Sequence, residues 1–145
     1  MLRRSIRTAA LILALSTLGV SSASAQRLEP VLQRVASAWQ RGDVGAITAL
    51  GARGGISLDI DGSSVGPLGP RQAAAVLRRV FDDRESVTAS SKAGRAVGGQ
   101  PPRAFGEIIW TTRARGTTIP ERATLFIAFV QQDDGWRITE IRLMR

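Results

Sequence analysis

The run from Glu121 to Arg145, ERATLFIAFVQQDDGWRITEIRLMR, constrains the fold more than any other part of the chain. It reads as two long strands joined by a tight turn at Gln132–Gly135, which sets Gln131 opposite Trp136 and Phe129 opposite Ile138. Leu125, Ile127 and Phe129 then share a face with Trp136 and Ile138, because side chains alternate along a strand. Strict alternation would leave Glu140 on that face and send Ile141 and Leu143 to the other. A β-bulge near Thr139–Glu140 returns Ile141 and Leu143 to the core face. Without it, the sheet is apolar on both sides and needs a partner. In either case Phe126, Ala128 and Val130 lie on the far face, beside Ile109 or Trp110 of the preceding strand, and such a face suggests a homodimer.

Helices and strands upstream supply what packs on this hairpin. Glu29–Arg41 is an amphipathic helix with Leu28, Val31, Leu32, Val35, Ala36 and Trp39 on one side, and Gly42 ends it. Asp43 caps a short helix over Val44–Leu50, closed by Gly51. Ile56–Ile60 alternates as a strand, Asp61–Gly62 turns the chain, and Ser63–Gly69 is a loop or a short return strand. Pro70 opens a third helix, with Ala73, Val76, Leu77, Val80 and Phe81 as its buried stripe and Arg78 and Arg79 in its last turn. Glu85–Val97 and Arg103–Arg113 are strands separated by Gly98–Pro102. The predicted class is α+β: three N-terminal helices packed on a mainly antiparallel sheet.

The first 25 residues have the pattern of a secretory signal peptide: Arg3, Arg4 and Arg7, an apolar stretch from Ala9 to Val20, then Ala23-Ser24-Ala25 before a cleavage point between Ala25 and Gln26. The apolar stretch is too short to cross a hydrocarbon core of roughly 30 Å as a helix. The expected product is residues 26–145, one domain, periplasmic or secreted, with no membrane contact after signal removal. Loss of Arg3, Arg4 and Arg7 lowers the net charge from +8 to +5. Of 20 basic residues only Lys92 is Lys, a skew that fits a GC-rich bacterial genome.

The chain has no Cys and no His. That excludes disulfides, thiolate metal sites and the commonest general base, so no metal and no cofactor is expected. The arginines are scattered and the aromatics few, which argues against nucleic acid as a partner. Carboxylates are the remaining acid–base candidates. Asp59 and Asp61 lie two apart, opposite Ile56, Leu58 and Ile60, and read as a solvent face. Glu107 shares a face with Phe105 and Ile109. Turned inward, it would be a carboxylate in an apolar pocket with a raised pKa, suited to proton transfer. Turned outward, it would pair with Arg122 or Arg95. Glu140, beside the proposed bulge, is a further candidate. Trp39, Phe81, Trp110, Ile127 and Trp136 are candidates to line a pocket for a small apolar ligand.

Trp39-Gln40-Arg41-Gly42-Asp43, the helix Arg71–Phe81, Ala104-Phe105-Gly106-Glu107-Ile108 and Gly135-Trp136-Arg137-Ile138 occur in an order and spacing that resembles the nuclear transport factor 2-like (NTF2-like) superfamily, also called SnoaL-like or cystatin-like. The resemblance covers Val31 to Arg145 and is narrower still to small secreted bacterial domains, the DUF4783 family. It implies a strongly curved sheet wrapped round the helices as a cone with a pocket at its open end. Some relatives are ketosteroid isomerases or epoxide hydrolases, and many are binding or dimerisation modules. The expectation is an exported, non-catalytic binding or dimerisation module. The alternative is a small isomerase, lyase or hydrolase using a pocket carboxylate such as Glu107.

Overall fold

In the computed structural model the described residues are 20–132 and 135–145, with side chains from Arg27 onward. Most of the expected signal peptide, residues 1–19, lies outside the described residues. Helix α1 spans Val20–Gln40, α2 Val44–Ala49 and α3 Pro70–Asp83. The strands are β1 Ile56–Ile60, β2 Ser63–Leu68, β3 Arg84–Val97, β4 Arg103–Ala114, β5 Glu121–Gln132 and β6 Gly135–Met144. They form one sheet in the order β2-β1-β6-β5-β4-β3, antiparallel except for β1 beside β6. Among the described residues no helix is long and apolar enough to cross a membrane.

The three helices are present but are not grouped at the N-terminus, because the β1–β2 hairpin separates α2 from α3. Its two-residue turn has Asp61 at φ 52° and Gly62 at φ 86°, both left-handed, the geometry that matches the twist of paired strands. The stretch 63–68 is therefore a return strand rather than a loop. Gly42 ends α1 at φ 63° as expected. Asp43 caps α2 by accepting the Ala46 N–H at 3.0 Å. Gly51 acts differently from a left-handed cap: an added Cβ would stand 2.9 Å from Ile56 Cδ1. Close packing of the turn on β1 requires the glycine there. α3 runs to Asp83, so Arg78 and Arg79 fall before its last turn.

The hairpin follows the predicted register, with Gln131 opposite Trp136 and Phe129 opposite Ile138. Between Phe129 and Ala128 the partner jumps from Ile138 to Glu140, so Thr139 is the extra residue of a bulge. Trp136, Ile138, Ile141 and Leu143 are consequently all buried. Further register shifts occur once in β1–β2 and twice in β3–β4. Bulges of this kind bend a strand and increase its twist, which lets one sheet wrap a helical layer.

α1 lies closely on the concave face. Leu28 and Leu32 approach the backbone at Gly94 and Gly106, where an added Cβ would stand 3.1 Å from Leu28 Cδ2 and 2.5 Å from Leu32 Cδ1. Leu28, Leu32, Val35 and Trp39 join Leu77 of α3, Ile108 and Trp110 of β4, and Leu125, Ile127 and Phe129 of β5 in one core.

Candidate functional site

β4 is the strand that separates the two readings of its face. Ala104, Gly106, Ile108, Trp110 and Thr112 point into the core, so Phe105, Glu107 and Ile109 point out. Glu107 is therefore not a carboxylate in an apolar pocket. Its Oε1 accepts a hydrogen bond from Lys92 Nζ at 3.1 Å. The expected partners stand elsewhere in the register: Arg95 is opposite Phe105, and Arg122 is opposite Thr111. The shift between Ser91 and Ala93 makes Lys92 the extra residue of β3, next to the Ala93–Glu107 pair.

The other candidate carboxylates are ion-paired. Asp59 accepts the Gly62 N–H at 3.0 Å and lies 3.5 Å from Arg142 Nε. Asp61, in the turn and not on the strand, pairs with Arg145. Glu140 Oε1 is 2.9 Å from Arg142 Nη2. Sequence reasoning missed Arg142 as a common partner of Asp59 and Glu140. It arises from the parallel β1–β6 register, which sets Asp59 opposite Arg142. Glu85 and Arg113 form a two-point pair, at 2.7 and 3.0 Å, across β3 and β4. The hydrogen bond and charge of Arg113 hold the Glu85 carboxyl below its ordinary pKa, and Glu85 raises that of Arg113.

The candidate pocket side chains all point inward. Trp39, Trp110, Ile127 and Trp136 are buried, and Phe81 is half-buried. Trp39, Phe81 and Trp110 meet edge-on with ring centroids 5.0 to 5.8 Å apart, the arrangement aromatic quadrupoles favour. Trp110 Nε1 donates to Ser86 Oγ at 2.8 Å, while Trp39 Nε1 is buried with no hydrogen-bond acceptor. One cleft of about 650 Å³ lies beside the Gly51–Gly55 loop, between α2 and the N-terminus of α3, with Arg53 and Arg137 on its walls. A second, of about 430 Å³, lies between α3 and the ends of β1 and β6, over Ile60, Val76, Val80 and Leu143. Neither contains Trp39, Phe81, Trp110, Ile127 or Trp136.

The outer face of the sheet brings together the side chains with most to offer a partner. Phe105 is 52% exposed and Phe126 43% exposed. In register, Phe126 stands between Glu107 on β4 and Arg142 on β6, and Ala128 stands between Phe105 and Glu140. A shallow depression of about 210 Å³ is bordered by Phe105, Phe126, Ala128, Glu140 and Arg142. Phe126 thus has a carboxylate on its β4 side and a guanidinium on its β6 side, the latter paired with Glu140.

No family model matches the chain, and no curated protein does. Solved structures do. A ketosteroid isomerase-like protein from Erwinia carotovora superposes with a TM-score of 0.68 at 17% identity, over 83% of this chain and 94% of that one. A DUF4783 family protein from Bacteroides uniformis gives 0.63 at 15% identity, over 77% and 94%. An NTF2-like protein with a cystatin-like fold from Novosphingobium aromaticivorans gives 0.60 at 14% identity, over 84% and 81%. The chain has the NTF2-like fold, which it shares with DUF4783 structures.

Proposed function

We propose that the chain is an exported, non-catalytic module that works by association, pairing with a second copy of itself through the outer face of the sheet. The observation that carries this reading is the apolar patch formed by Phe105, Ile109, Phe126 and Ala128, with Glu107 between Phe105 and Ile109 on β4 and Arg142 opposite Phe126 on β6. A twofold axis parallel to the strands would lay the β4 side of one copy over the β6 side of the other. Each Glu107 would then face the opposite Arg142, a self-complementary contact of the kind twofold dimers use. The apolar side chains fit the core of such an interface, and a charge set among them has to be matched across it. Support for the non-catalytic part comes from Asp59, Asp61, Glu107 and Glu140, each held in an ion pair at the surface. Support for export comes from the Arg3–Ala25 pattern.

Analytical ultracentrifugation tests the pairing. The protein is expected to sediment as a dimer and Phe126→Asp as a monomer with an unchanged circular dichroism spectrum. A monomer at all concentrations for the unaltered chain would overturn the reading. N-terminal sequencing of protein recovered from the host envelope is expected to begin at Gln26.

A further inference from the structure

Arginines that are scattered in the sequence are gathered by the helices. The solvent side of α1 presents Arg27, Pro30, Arg34 and Ser37, and Arg41 follows in the turn after it. Arg27, Arg34 and Arg41 are one heptad apart, so each step drifts only about 20° around an ideal helix. They form a line about 21 Å long at the helical rise per residue. None of the three guanidinium groups has a hydrogen-bonding or ion-pair partner among the described residues. α3 adds Arg71, Arg78 and Arg79, also exposed and without partners among the described residues. The two helices meet where Trp39 touches Phe81.

The acids of this layer lie off the α1 line. Glu29 is on the other flank of α1, turned to β3 through Ser91 Oγ at 3.4 Å. Asp43 caps α2, and Asp82 and Asp83 close α3 beside Arg115. On the sheet and its β1–β2 turn, by contrast, Asp59, Asp61, Glu85, Glu107, Glu121 and Glu140 are each ion-paired, Asp59 and Glu140 sharing Arg142.

We propose that the Arg27–Arg34–Arg41 line, assisted by the α3 arginines, docks the helical side of the molecule on an anionic phospholipid surface. Two features favour lipid over nucleic acid. The exposed side of α1 has no aromatic ring on which a base could stack, since Trp39 is buried. The chain also enters α1 directly from the apolar stretch Ala9–Val20, and the export proposed above, on which this point rests, would bring the helix to a membrane surface. The expectation of no membrane contact after signal removal concerned apolar segments that span a membrane, and electrostatic docking needs none. The proposal goes beyond self-association and leaves the outer sheet face free.

The test is co-sedimentation of the protein, in the form its host accumulates, with vesicles of phosphatidylcholine alone or mixed with phosphatidylglycerol. Binding is expected only to the mixed vesicles and is expected to weaken as salt screens the charges. Arg27→Gln/Arg34→Gln/Arg41→Gln is expected to lower affinity about a hundredfold, from about fivefold per guanidinium near such a surface. Arg103→Gln/Arg122→Gln, two exposed sheet arginines, should change it less than about twofold. Arg71→Gln/Arg78→Gln/Arg79→Gln is a second helical variant, expected to weaken binding should the first fail to fold. Equal binding to both vesicles, equal losses in helix and sheet variants, or preference for single-stranded DNA would each overturn the proposal.

Discussion

Trp39 and Trp110 occupy the same aromatic cluster, yet their indole N–H groups fare differently. Trp110 donates to Ser86, whereas Trp39 is buried without an acceptor. Replacing Trp39 by Phe removes an unsatisfied donor along with ring area, and replacing Trp110 by Phe breaks a made bond. An unsatisfied buried polar group costs about 1–3 kcal/mol. Trp39→Phe should therefore be less destabilising than Trp110→Phe by about 1–2 kcal/mol in urea unfolding. Glu85 gives a pH prediction. Its folded pKa is lowered by Arg113, so its contribution is present above the ordinary carboxylate pKa and is lost as pH falls through the lowered value. The stability difference between the unaltered protein and Glu85→Gln should shrink over that acidic window. A difference that grows on acidification would contradict the assignment.

At the level of elements, α1 is seated by an absence of side chain. Gly106→Ala would drive a methyl group toward Leu32 Cδ1. Overpacking of this kind costs about 1–3 kcal/mol, and Leu32→Ala in the same chain should recover part of it, measurable as a double-mutant cycle. The bulge at Thr139 has a sharper consequence. Deleting Thr139 forces a choice between burying Trp136 with Ile138 and burying Ile141 with Leu143. The deletion is expected to abolish the cooperative unfolding transition. This bulge was legible in the sequence because the two apolar pairs fall on opposite parities of one strand. Period-two alternation likewise gave the register of the last hairpin. The ion-pair partner of Glu107 was not legible, because a bulge in β3 places Lys92 there and β3 has too little apolar pattern to reveal it. The inward face of β4 was equally open, since Phe105 and Ile109 are as apolar as Ile108 and Trp110.

For the molecule as a whole, the helices and strands could be read from local pattern, but not the position of β6. Sequence order placed it beside β5; the structure also places it beside β1, in parallel, with some eighty residues between paired positions such as Leu58 and Ile141. No local periodicity encodes so distant a pairing. The gathering of the arginines is a similar case, visible only once heptad spacing is set on a helix whose buried side is known. The placement of β6 also governs when the domain can form. The strand at the centre of the sheet is the last of the six to leave the ribosome, so β1 and β2 must wait for it with their joining edge unpaired. Chains stalled before Gly135 should remain open to protease throughout, and those extending past Met144 should become resistant in one step. An unfinished chain is thus kept threadable by its own topology, as the export proposed above would require.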